Sequence, residues 1–68
     1  MVSRIGELAE ADLRVLSLLA EGHPPDAVAR RMGLSGRTVR RRIRALCDRL
    51  GVATPIQAVV WAVRTGLI

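Results

Sequence analysis

Residues 7–21 set Leu8, Val15, Leu16 and Leu19 on one arc at about 100° per residue, with Glu10, Arg14, Ser17 and Glu21 on another. This predicts an amphipathic helix stopped by Gly22. Glu7, Glu10 and Asp12 complement the dipole at its start, but Ala9 stands where a hydroxyl cap would serve. His23-Pro24-Pro25 forces an extended connection, after which Pro25 or Asp26 opens a short helix reaching Met32. Val28, Ala29 and Met32 form its apolar side, Gly33 its stop, and Leu34 can plug inward across the turn. Ser35 is an N-cap signal, and Val39, Ile43, Leu46 and Leu50 follow at spacings of four, three and four, marking a third helix that Gly51 ends. Thr54-Pro55, a cap followed by proline at the first helical position, opens a fourth helix to about Thr65, before Gly66. The expected fold is all-α: a tail or linker over residues 1–6, then one four-helix domain over 7–68.

The chain has 68 residues, so it is one domain and buries roughly 60% of its unfolded surface. That thin core leaves little room for a deep catalytic cavity, and no nucleophile, base and orienting group recur together, so no enzymatic activity is expected. With no Phe or Tyr and one Trp, the core has to come from Leu, Val, Ile, Met and Ala. Cys47 and His23 are each the only residue of their kind, which argues against a disulfide, a metal site or a cofactor. Cys47 is expected as a small buried hydrophobe and His23 as a solvated turn residue. The longest apolar run, around Val59 to Val63, is far short of the roughly 18 residues a membrane span needs, and the first residues lack a signal-peptide pattern. The expectation is a cytoplasmic protein with no membrane partner.

Charge changes the picture more. All eleven basic residues are arginine, against six acids, giving a formal net charge of +5. Seven of them, Arg30, Arg31, Arg37, Arg40, Arg41, Arg42 and Arg44, fall where no acid occurs between Ala27 and Cys47, and the remainder of the chain is slightly acidic. On the third helix Ile43, Leu46 and Leu50 lie within about 40° of Val39, whereas Arg40, Arg44, Arg37 and Arg41 lie between about 100° and 200° away. One face is core and the other a row of guanidinium groups. A solvated charged face is the ordinary reading of such a run. Like charges three and four apart, however, repel by a few tenths of a kcal/mol per pair, which a bound polyanion relieves.

A short helix, the turn Gly33-Leu34-Ser35 and a second helix with a basic outer face make a helix-turn-helix pattern over about residues 25–50. In that geometry the second helix enters the major groove of double-stranded DNA. Arg40, Arg41 and Arg44 are then placed for base edges, and Arg31, Ser35, Arg37 and Thr38 for phosphates; Arg30 is divided between phosphate contact and solvation.

At these residues the chain resembles the LuxR-type helix-turn-helix, the DNA-binding effector domain of quorum-sensing and response regulators. The resemblance runs from about Leu8 to Ile68, through Val15-Leu16-Ser17-Leu18-Leu19-Ala20-Glu21-Gly22, Val28-Ala29-Arg30-Arg31-Met32-Gly33-Leu34-Ser35, Thr38-Val39, Leu50-Gly51-Val52 and Gln57-Ala58-Val59. It implies a transcription regulator whose base-contacting positions are Arg40, Arg41 and Arg44, with dimerisation through the fourth helix and RNA polymerase as a further partner. Departures are Ala9 and Pro24 at cap positions, each predicting a loss of about 1 kcal/mol, and Arg42 in place of a frequent His, which predicts added non-specific phosphate binding. Arg14 and Asp26 suggest a charge-swapped pair.

On the fourth helix Ala58, Val59 and Ala62 point one way and Ile56, Val60 and Val63 nearly the other. A domain this small has no second core for that outer stripe, which predicts a symmetric homodimer contact through Ile56, Val60 and Val63 with Trp61 at its edge. Trp61 could equally cover the core edge. Two other functions compete: a sigma-factor fourth region, which the apolar fourth helix disfavours, and an arginine-rich RNA-binding or membrane-surface helix, which the ordered core stripe disfavours.

Overall fold

The computed structural model describes residues 8–68; the expected tail over 1–6 and the contribution of Glu7 to the first helix lie outside them. Among the described residues four helices follow one another: α1 (Glu10–Ala20), α2 (Pro25–Met32), α3 (Gly36–Leu50) and α4 (Pro55–Arg64). They carry the all-α fold expected from the periodicity.

Helix boundaries follow local chemistry. Ala9 is the N-cap of α1 and offers no side-chain acceptor, so only the return half of a capping arrangement forms, with the Ala9 N–H donating to Asp12 Oδ2 at 3.4 Å. Pro24 caps α2 without a side-chain bond, and Pro25 occupies its first position, where a missing N–H costs nothing. Ser35 Oγ accepts from the Thr38 N–H at 3.1 Å at the start of α3. At α4 the Thr54 hydroxyl accepts from the Gln57 N–H at 3.3 Å while Gln57 Oε1 accepts from the Thr54 N–H at 3.0 Å. Gln57 three residues after Thr54 is a full capping box that the helix periodicity does not display.

Two glycines close α2 and α3 in the same way. Gly33 (φ 71°) and Gly51 (φ 73°) take the left-handed conformation that ends a helix, and the next residues donate back, Leu34 to Ala29 O at 2.9 Å and Val52 to Cys47 O at 3.0 Å. Both Leu34 and Val52 turn inward and pack on the core.

That core is formed by Val15, Leu16 and Leu18 of α1, Val28 and Ala29 of α2, the Val39–Ile43–Leu46–Leu50 stripe with Cys47 on α3, and Ala58 and Ala62 of α4. Burying each large apolar side chain contributes about 1.5–3 kcal/mol. Trp61 is half-buried against this core, as are Leu8, Leu19 and Val59. Three residues sit differently from expectation. Leu18 is buried more deeply than Leu19, because α2 and α4 both pack on α1 and widen its covered arc. His23 is half-buried, with Nε2 3.4 Å from Glu21 Oε1, because Gly22 (φ 97°) turns the chain back over the end of α1 and the His23 N–H donates to Leu18 O at 3.2 Å.

Asp12 is the third, and the most consequential. Only 6% of its side chain is exposed, yet it lies on α1 facing α3, where Arg42 Nη1 donates to Oδ1 at 3.3 Å and Arg49 Nη1 to Oδ2 at 3.4 Å. One carboxylate thus bridges two guanidinium groups of α3 and the backbone that starts α1.

Cys47 is buried as expected. Burial, and after it the Asp48 carboxylate, push its thiol above the ordinary value of 9.0. Folding therefore favours the protonated thiol, and this contribution is full below the unfolded-state value and is lost as pH rises through the raised folded-state value. The chain has no Tyr and, with all its bases arginine, no Lys, so no other side chain titrates in the moderately alkaline range above that ordinary value. Urea midpoints are expected to fall over that range in the wild type and to stay level in Cys47→Ala; equal slopes in the two proteins would contradict the assignment.

Candidate nucleic-acid interface

The α2–turn–α3 unit presents arginines from both of its helices. Arg30 and Arg31 lie in the last turn of α2, where a cation complements the helix dipole, and both are exposed. Arg37 lies in the first turn of α3, where a cation opposes the dipole and the turn itself carries no acid. An anion at that end would be stabilised both by Arg37 and by the unpaired N–H groups of the first turn. Ser35 and Thr38, joined by a 2.9 Å hydroxyl–hydroxyl bond, frame the same end.

Arg40, Arg41 and Arg44 are all exposed on the side of α3 opposite the buried Val39–Leu50 stripe. The wheel separates them from the core as the helix does. Arg40 and Arg44 line an open cleft of about 520 Å³ together with Asp48 and the apolar Pro25, Ile43, Cys47 and Val52.

Not every arginine of α3 is on this face. Arg42 is half-buried and turned to Asp12, with its Nε buried and unpartnered, and Arg49 shares the same carboxylate. The expectation that Arg42 adds to phosphate binding is therefore corrected: about 60° back from Val39 on the wheel, it sits at the seam with α1 and is occupied there. Asp26 also differs from expectation. Its carboxylate Oδ1 accepts from Arg40 Nη2 at 2.7 Å, so its partner is on α3 and not Arg14. Periodicity within one helix carries no information about these three pairs, since the partners are 14, 30 and 37 residues apart. The available signal was a lone acid in the first turn of α2 facing an arginine-rich α3.

The apolar outer stripe of α4 is exposed as expected: Ile56 67%, Val60 41% and Val63 54%. No single helix among the described residues is long and apolar enough to cross a membrane.

A family model described as a homeodomain-like domain matches residues 13–54, more than half of the chain, and spans α2, the turn and α3 entire. No curated protein matches the chain.

The two classes of arginine are separable by stability. Arg42→Ala is expected to cost about 1–2 kcal/mol, because it leaves the buried Asp12 carboxylate with one guanidinium fewer, whereas Arg41→Ala leaves the unfolding midpoint unchanged. Urea denaturation of the two variants checks this, and equal midpoints would refute the division.

Proposed function

Because the chain belongs to the homeodomain-like helix-turn-helix family, a DNA-binding class, we propose that it is a sequence-specific transcription regulator of the LuxR type, working on DNA in the cytoplasm. In this reading α3 enters the major groove and two copies, joined through α4, occupy two half-sites. The observation that carries it is the division of α3 into a buried apolar stripe and an exposed face of Arg40, Arg41 and Arg44. A guanidinium presents paired donors to guanine O6 and N7, a contact that discriminates by about 1–3 kcal/mol. Arg31, Ser35, Arg37 and Thr38 around the turn serve phosphates, positioning the helix without reading sequence.

Dimerisation is supported by Ile56, Val60 and Val63, three exposed apolar side chains on one side of one helix. Trp61, half-buried on the core, adds only its outer edge to that contact.

Selection of bound sites from a random duplex pool identifies the preferred sequence. On that site log affinity is expected to fall linearly with log salt, with a slope of about −0.9 per phosphate neutralised. Arg41→Ala and Arg44→Ala are expected to relax base preference, and Arg37→Ala to weaken selected and random duplexes alike; an identical loss on both duplexes for all three would falsify the base-reading roles.

The dimer has its own check. Val60→Arg is expected to leave the fold intact and to abolish joint occupancy of two half-sites in sedimentation with DNA. A variant that pairs on DNA as the wild type does excludes α4 as the interface.

A further inference from the structure

We propose that Asp26 is a specificity-determining residue: it holds the Arg40 guanidinium across the N-terminus of α3 so that this arginine meets a base edge and is kept from phosphates. The inference rests on the base-reading role proposed for Arg40.

The clasp is short and one-sided. Asp26 Oδ1 and Arg40 Nη2 are 2.7 Å apart, within the range of a charge-assisted hydrogen bond. Only Nη2 makes this bond, and the Arg40 side chain is 57% exposed, so other N–H groups of the fork remain open to an incoming acceptor.

Gly36 makes the room. A Cβ at that position would stand 2.7 Å from Asp26 Oδ1 and 3.1 Å from Arg40 Nη1. Gly36 is not among the glycines with positive φ, so its backbone conformation suits any residue. What glycine supplies here is space, in which the carboxylate and guanidinium lie against the first turn of α3.

An ion pair exposed to this degree adds little to stability. Its effect falls instead on where the guanidinium points. An arginine already held in one orientation loses less freedom when it engages a base, and the adjacent carboxylate repels a phosphate that approaches the same group. A guanine edge is neutral and meets no such repulsion. Asp26 thereby favours base contact over backbone contact at a single position.

The test compares wild type, Asp26→Asn, Gly36→Ala, Arg40→Ala and the double variant Asp26→Asn/Arg40→Ala. Each is titrated against the selected duplex, against versions with each guanine replaced in turn, and against random duplex. Circular dichroism checks that each is folded. Asp26→Asn is expected to reduce discrimination at one guanine by about two- to five-fold, the range of an exposed pair, and to raise affinity for random duplex. Gly36→Ala, which displaces the carboxylate without changing net charge, is expected to reduce discrimination at the same base pair. In the Arg40→Ala background Asp26→Asn is expected to leave base preference unaltered. Folded Asp26→Asn and Gly36→Ala proteins that keep wild-type preference overturn the proposal, as does an equal rise on selected and random duplexes, which would make Asp26 a bulk charge only. An Arg40→Ala protein with undiminished preference overturns the base-reading role itself, and a wild type that selects no sequence overturns the functional reading beneath it.

Discussion

Six arginines share the fifteen residues of α3, with Asp48 as the helix's single acid, and a helix so charged has to be held in place by something outside itself. Asp12 does this from α1. Its nearly buried carboxylate accepts from Arg42 and Arg49 and from the backbone at the start of its own helix, so the placement of α3, the entry of α1 and the removal of two guanidinium groups from the solvent-facing row all depend on one side chain. Such a bridge adds modest net stability when intact, and its loss costs more than its formation contributes, because a buried carboxylate would be left without partners. The apolar stripe then fixes the rotation of α3 about its axis. With rotation and position both set, Arg40, Arg41 and Arg44 have only one direction to face.

The same economy shapes α4. Ala58 and Ala62 are the residues it buries, and their small side chains let the helix approach α1 and α3 closely. Larger apolar residues would not fit that gap in so small a domain, and Ile56, Val60 and Val63 are accordingly turned outward. The thin core and the apolar outer stripe are two aspects of one packing constraint.

Features set by neighbours in sequence were legible before the fold was known. The left-handed stops at Gly33 and Gly51, the cap at Ser35, the proline start of α4 and the two faces of α3 each depend on residues within one or two helical turns. Features set by contacts between helices were not. Asp12 read as a complement to the helix dipole, Arg42 as another free cation and Asp26 as a partner for Arg14, because a helical wheel locates a side chain on its own cylinder and is silent about what the next cylinder brings to it. Leu18 fell outside the apolar arc of α1 for the same reason, since coverage by other elements decides its burial. The exposed arginine face was therefore legible as a face, and the pairing of its individual side chains was not.

Every cation on that face is a guanidinium, and this has a regulatory consequence. Guanidinium groups keep their proton across the whole physiological range, and with no lysine in the chain there is no side-chain amine for acetylation to neutralise. The charge those arginines carry is a quantity that acyl transfer to lysine cannot change. For the arginines themselves the levers that remain are geometric: covering the face, reorienting it, or changing how many copies present it together.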